Sequence, residues 1–343
     1  MLVGIHKDSY GKFNKFLERY EKILDYNNID HIRLESSQLD FWEKVRTLDL
    51  FIFRWGVSDS SHQIADSIIP IIEKELRIKC LPDYITSWPY EDKIKEYYLL
   101  KQHGFPIIDT YIFWDKIVAL TWLETAKFPM VFKLKRGAGS KNVILVKNKK
   151  QAKRIVNKMF GSGICPRNIY RHKFDLMKEI RHLGGNIFRK YRGQDVSSLW
   201  QKQKNYVLFQ KFLPNNKYDT RITVIGDRAF GFRRFNREDD FCASGSGKID
   251  YDVEKVDKRC IEIAFSVSEE MHFQTMAYDF LFTPDGKPQF SEISYTYLDA
   301  AIYNCPGYWN SNLNWHDGHF WPQYCQLKDA LNLPDLKQPH MET

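Results

Sequence analysis

Short apolar runs at residues 2–5 and 48–53 are separated by a stretch, 13–26, with helical spacing of its apolar positions. A second helical pattern over 60–76 leads into a third apolar run at 78–82. Strand-length runs alternating with helix-length patterns predict a small α/β lobe on a parallel sheet. The lobe has neither G-x-G-x-x-G nor G-x-x-x-x-G-K-[ST], so it offers no dinucleotide or Walker-type phosphate loop. A helix over 89–103 follows, with Ser87 as N-cap, Gly104 as its stop and Pro106 blocking continuation. Strands then dominate: 130–134 and 142–147 joined by glycine-rich 135–141, then 206–213, and 220–225 with 229–235 around Gly226-Asp227. Helices are expected at 150–160, ended by Gly161, and at 254–271, whereas 166–204 has weak periodicity and is assigned no element.

The final pair of apolar runs, 276–282 and 290–297, is joined through Asp285-Gly286, the signal of a type I′ hairpin. With these two residues at the turn, Asp279 stands directly opposite Glu292 on one face of the ribbon. Two acids so placed repel unless a cation bridges them, and a pair of carboxylates suits Mg²⁺. The same construction on Gly226-Asp227 puts Asp219 opposite Arg234, with Arg221 diagonal to Arg234 on the same face. Two guanidiniums against one carboxylate suit a phosphate or carboxylate oxygen, with a plain cross-strand ion pair as the alternative. Lys133 and Lys135 alternate with Phe132 and Leu134, so both lysines leave one face of their strand and must reach solvent or an anion. Because the loop carrying Gly137, Gly139 and Ser140 lies between two strands, it reads as a flap whose N–H groups close over phosphates.

Charge sharpens this picture. The net charge of +8 conceals a block, 133–204, with 20 Lys and Arg against three acids, while the remainder carries −9. A basic block joined to an acidic remainder implies a polyanion nearby, either nucleic acid or nucleotide phosphate. The lysines of 147–158 read instead as a solvated helix surface. Six cysteines without a C-x-x-C pair read as reduced thiols, and no run of membrane-span length or secretory pattern is present, so a cytoplasmic protein is expected. The tail 305–321 holds Tyr308, Trp309, Trp315, His316, Asp317, His319 and Trp321, a set that could stack on a flat ligand; the two histidines read as structural.

The order of these parts resembles the ATP-grasp superfamily, particularly its RimK-like and D-alanine–D-alanine ligase-like members. The match covers roughly 92–297, from Asp92-Lys93 through Phe128-Pro129-Met130-Val131-Phe132-Lys133, the glycine loop and Gln210-Lys211-Phe212-Leu213 to Asp279 and Glu292. It implies an α/β fold with a pre-ATP-grasp domain at 1–88, an N-terminal grasp lobe at 89–204, a C-terminal lobe at 205–330 and a tail at 331–343. It further implies that ATP and Mg²⁺ are bound. Lys93, Lys133, Gly137, Gly139 and Ser140 would meet phosphates, and Gln210, Lys211 and Leu213 the adenine. Asp219 would meet the ribose, and Asp279, Glu292 and Ser294 the metal. Gln210 stands where the family usually has Glu, Ser294 where it has Asn, and Ala277 where many members have Arg, so Arg221 and Arg234 become the candidate catalytic cations.

The implied activity is carboxylate–amine ligation through an acyl phosphate. A sugar or surface-glycan precursor is one expected substrate, and a peptide or protein acceptor another. An ATP-grasp kinase and a non-catalytic nucleotide- or nucleic-acid-binding protein are the remaining alternatives. The resemblance favours small-molecule carboxylate and amine partners, without nucleic acid or a membrane span.

Overall fold

A computed structural model describes residues 1–7, 13–137, 143–164, 202–237 and 247–342. The first sheet is wholly parallel in the order β2-β1-β3-β4: β1 (Leu2–His6), β2 (Asp30–Leu34), β3 (Leu50–Ile52) and β4 (Lys79–Leu81). Both faces of β1, β3 and β4 are covered, which is why these strands read as apolar runs, whereas the edge strand β2, with exposed Asp30 and Arg33, carries no such run. On one face lie Val3, Ile5, Leu50 and Ile52 against α1 (Lys15–Tyr26), capped by Asn14. On the other, Phe51 and Phe53 meet α2 (Phe41–Val45) and α3 (Asp59–Pro70), the latter capped by Ser58 and continued by a π-helical turn over Ile71–Glu75. The end of the chain returns to the first face, where Trp321, Leu327, Leu336 and Met341 are buried.

A short α4 (Tyr84–Ser87) precedes α5 (Lys93–Gln102). The expected helix over 89–103 therefore starts later, and Ser87 belongs to α4. Asp92 is the actual N-cap, its Oδ1 accepting the N–H groups of Ile94 and Lys95 at 3.2 Å each. This cap puts Lys93 at the first helical position.

The second sheet is antiparallel in the order β5-β8-β6-β7: β5 (Thr110–Phe113), β6 (Met130–Lys133), β7 (Val143–Val146) and β8 (Val207–Lys211). Its outer face packs Phe132 and Phe209 against α6 (Lys116–Trp122) and α7 (Lys149–Met159). Strict alternation turns Lys133, Leu208 and Gln210 to the inner face.

The third sheet runs β13-β12-β9-β10-β14-β15. It is formed by β9 (Tyr218–Ile225), β10 (Arg228–Phe235), β12 (Thr275–Phe282), β13 (Pro288–Ser294), β14 (Gly307–Asn310) and β15 (Trp315–Asp317), with β11 (Ile249–Asp250) beside β10. Helix α8 (Lys258–Glu270) buries Cys260, Ile261, Ala264 and Val267 in the cluster that holds Ile222, Tyr278 and Phe280. Two short helices, α9 (Asp299–Tyr303) and α10 (Pro322–Ala330), complete the chain. No helix among the described residues is long and apolar enough to cross a membrane.

The β12–β13 connection differs from the type I′ expectation. Only Gly286 has positive φ (+76°), and its N–H donates to Thr283 O at 2.8 Å, so the loop is one residue longer than a two-residue hairpin. Near the loop Phe282 pairs with Pro288 and Phe280 with Phe290; a bulge then shifts the register, and Asp279 faces Glu292 after all. The second hairpin keeps its expected register, Asp219 opposite Arg234, with positive φ at Gly226.

The 305–321 tail forms β14 and β15. Trp309 and Trp321 are buried, Tyr308 stacks on His316, and Trp315 donates to Asp317. His316 meets Asn310 while His319 meets the Tyr303 carbonyl, so the two rings serve separate structural contacts.

Candidate active site

The inner face of the second sheet and one edge of the third enclose a narrow cavity lined by Lys93, Glu96, Thr110, Lys133, Gln210 and Ser291. Lys93 reaches it from the start of α5. Its Nζ donates to Glu292 Oε1 at 3.0 Å and to the Gly137 carbonyl at 3.4 Å, linking helix, glycine loop and metal-candidate strand. Lys133, the last residue of β6, donates to the Ser291 carbonyl at 3.2 Å beside Glu292. The two lysines thus converge on β13 from two elements. Lys135 turns to Asp92 at 3.5 Å, so it pairs with the α5 cap.

Two acids that the sequence reading missed surround Lys93. Glu91 Oε2 accepts the Gly137 N–H at 3.1 Å, and Glu96 Oε2 accepts the Ile293 N–H at 3.1 Å, while Glu96 Oε1 is buried without a hydrogen-bond partner. Burial raises both carboxyls, Glu96 well above its ordinary value, although Lys93 pulls the other way. Lys93 is itself subject to burial, but the attraction of Glu292, Glu91 and Glu96 outweighs it and holds the ammonium charged. The i, i+3 spacing of Lys93 and Glu96 on one helix face was the available signal.

On the third sheet Asp279 lies on the interior strand β12, next to the edge strand β13, and meets Arg221 of β9 in direct register. Arg221 forms a fork, Nε to Oδ1 at 2.6 Å and Nη2 to Oδ2 at 2.8 Å. Arg234 lies within 2.7 Å of the same Oδ2 and makes a second fork to Asp219 at 2.7 and 2.6 Å. Four charges thus form a neutral buried chain, Asp219–Arg234–Asp279–Arg221. Burial would raise the Asp279 carboxyl, but Arg221 and then Arg234 outweigh it and hold it well below the usual carboxylate range. Burial raises Asp219, with Arg234 opposing it.

Several residues expected to touch nucleotide are engaged elsewhere. Both Asp219 oxygens accept from Arg234, the Gly137 N–H is taken by Glu91, and the Gln210 amide nitrogen donates to Thr110 Oγ1 at 3.2 Å. Lys211 lies on the outer face with Tyr111 and Trp122, and only its neighbour Gln210 faces the cavity. Leu213 is buried just beyond β8. Gly139 and Ser140 fall outside the described residues.

The acid pair is compatible with one Mg²⁺, which takes few protein carboxylates and completes its octahedron with phosphate and water. Glu292 is partly exposed, and among the described residues it bonds Lys93 through Oε1. Ser294, expected as a third ligand, has its Oγ in a local turn, donating to the Thr296 carbonyl and accepting the Thr296 N–H at 3.1 and 3.2 Å. Among the described residues, no group of three or more His, Cys, Asp and Glu side chains is gathered for a metal ion.

Neither protein-family models nor curated proteins give a match to this chain. Solved structures do. A RimK-domain ATP-grasp protein of Sphaerobacter thermophilus is 13% identical at TM-score 0.51, over 85% of this chain and 90% of its own. An N5-carboxyaminoimidazole ribonucleotide synthetase of Thermotoga maritima is 14% identical at TM-score 0.60, over 97% of this chain and 76% of its own. The biotin carboxylase domain of a Hydrogenobacter thermophilus 2-oxoglutarate carboxylase, solved with MgADP and bicarbonate, is 12% identical at TM-score 0.58, over 96% and 69%.

Proposed function

Since the chain has the ATP-grasp fold, we propose that it is an ATP- and Mg²⁺-dependent ligase that joins a small-molecule carboxylate to an amine. The observation that carries the reading is the convergence of Lys93 and Lys133 on β13, with the facing acids Asp279 and Glu292 beside them. Bound MgATP would supply the phosphoryl group that converts the carboxylate into an acyl phosphate, from which an amine displaces phosphate.

The chain's own work is positioning and charge neutralisation. Lys93 and Lys133 bring two buried ammonium groups to the phosphate side of the cavity, and Gln210 to Leu213 border the base. Glu292, with Asp279 across the ribbon, holds the divalent cation. Arg221 and Arg234 hold Asp279 ionised and in place through their paired contacts. The loop around Gly139 and Ser140 is assigned to the phosphates by resemblance alone. Of the 305–321 aromatics Trp309 and Trp321 are buried in packing, while Tyr308 and Trp315 are half-buried beside the exposed His316.

The test is ATP turnover with a panel of carboxylates and amines, repeated in hydroxylamine. A ligase gives Mg²⁺-dependent ADP release and a hydroxamate of the active carboxylate. A kinase acting on a hydroxyl gives ADP but no hydroxamate, and ADP release without any hydroxamate would exclude the ligase.

A further inference from the structure

Lys93, Glu91 and Glu96 belong to the phosphate side of the cavity already described, and the two tail histidines are held apart. The Asp219–Arg234–Asp279–Arg221 chain carries more information, because it decides how much metal the centre takes. We propose that this centre binds a single divalent cation, anchored on Glu292, and that the Arg221–Arg234 guanidinium pair on Asp279 stands where a second cation would. The inference rests on the nucleotide-binding reading above and deepens it.

A carboxylate has about four acceptor positions. At Asp279 three are taken, one on Oδ1 by Arg221 and two on Oδ2 by Arg221 and Arg234, at 2.6 to 2.8 Å. What remains is one position on Oδ1, enough for a single metal contact at most. The guanidiniums are not easily displaced. Arg234 is buried, and its Nη2 lies at 2.6 and 2.7 Å from Asp219 and Asp279 together, so removing it from one acid disturbs the other. Arginine stays charged over the working pH range, and its rigid fork suits this double contact.

The second feature is independent of the arginines. Between two metal ions a shared carboxylate is normally helped by a further oxygen ligand on the same strand face. Here that position is Ser294, which pairs with Ala277 two residues beyond the Asp279–Glu292 pair. Its hydroxyl is spent in a local turn on Thr296. Glu292 differs from both. Its side chain is one-third accessible, and among the described residues its bond is from Lys93 to Oε1, so the carboxylate can turn Oε2 toward a metal without losing that bond.

The electrostatic account is consistent. In two-metal phosphoryl-transfer sites, cations clamp the attacking and leaving oxygens together. Here two fixed guanidiniums on β9 and β10 already neutralise Asp219 and Asp279, so no unpaired charge is left at Asp279 to draw in a second cation. The arrangement also accounts for Ala277, which packs in a buried cluster where an arginine would have no room beside Tyr297 and Ile302.

The test counts metal ions. Mn²⁺ is titrated into the full chain saturated with adenylyl imidodiphosphate, and bound Mn²⁺ is read by electron paramagnetic resonance against bound nucleotide. The inference predicts one Mn²⁺ per nucleotide and no spin-coupled pair. In Glu292→Gln its affinity falls at least tenfold. In Arg221→Met with Ser294→Asn, which frees Asp279 Oδ1 and restores an amide ligand, a second Mn²⁺ binds at least tenfold more tightly than in the unaltered chain. Two coupled Mn²⁺ ions in the unaltered chain would overturn the inference while leaving nucleotide binding intact. A double variant that still takes only one would overturn the part assigned to the arginines. No nucleotide binding at all would overturn both readings.

Discussion

Asp279→Asn is the most informative single perturbation of the site, because its cost follows from charge already accounted for. The substitution keeps shape but leaves Arg221 and Arg234 facing Asp219 alone, one uncompensated guanidinium in a largely buried setting. Breaking a buried ion pair by removing one partner costs about 3–5 kcal/mol. Arg221 retains some access to solvent and can turn outward, so the lower end, about 3 kcal/mol, is expected. Adding Arg221→Met restores neutrality and should recover about 1–2 kcal/mol, a coupling within the range for residues in one network.

Urea unfolding followed by tryptophan fluorescence measures both values. The sign of the pH dependence is fixed by the depressed Asp279 carboxyl. Its stabilisation is fully present above the unfolded carboxylate value of about 3.9 and is lost only as pH falls through the lower folded value. The Asn penalty is therefore flat from pH 8 to 5 and shrinks only below about pH 4. An Asp279→Asn protein within about 0.5 kcal/mol of the parent, the size of an ordinary surface change, would refute the network account.

Other predictions concern separate parts of the molecule. His62 is buried against Tyr90 with Nε2 unpartnered, and burial, with Arg136 next in effect, lowers it from 6.5 to about 4. The folded state therefore resists protonation, and stability complete above pH 6.5 should fall by roughly 3 kcal/mol between pH 6.5 and 4. His62→Gln should flatten that slope in pH-stepped urea melts. Lys93→Met strands Glu91, Glu96 and Glu292 without their cation and should cost about 3 kcal/mol near pH 8. Because Glu91 and Glu96 are raised by burial, that cost should shrink toward pH 5 as they take up protons. At Gly307 an added Cβ would lie 2.2 Å from the His316 carbonyl oxygen, whereas at Gly286 it meets open space at φ +76°. Gly307→Ala should therefore part β14 from β15 and cost well over the roughly 1 kcal/mol of left-handed strain expected for Gly286→Ala.

Cross-strand geometry was the most legible level of this sequence. Counting outward from Gly226-Asp227 placed Asp219 opposite Arg234, and the structure keeps that register because both flanking strands are buried and a slip would expose their apolar faces. The Asp279–Glu292 pairing was reached by two departures that cancel, a longer turn at Gly286 and a bulge beside Ser291, neither of which leaves a local signal in the apolar pattern. Less legible was where long side chains would spend their charge. The Asp219–Arg234 ion pair was legible as an alternative to a phosphate site and is the one present, but Asp279 arrives between Arg221 and Arg234 only when β12 joins β9, a pairing across more than fifty residues. The buried Glu91 and Glu96 escaped notice for the same reason: their partners, Gly137 and Ile293, come from other elements. The tail aromatics were ambiguous because stacking on a ligand and packing in a core use the same residues; Trp309 is enclosed with the third sheet and Trp321 against the first.

The most direct test of the central claim is calorimetric titration of adenylyl imidodiphosphate into the full chain, with and without Mg²⁺, for the parent and for Lys133→Met. The account predicts one nucleotide per chain, bound at micromolar concentrations only with Mg²⁺ and weakened at least tenfold when the Lys133 ammonium is removed. Binding that is absent, indifferent to Mg²⁺ or unchanged in Lys133→Met would contradict it.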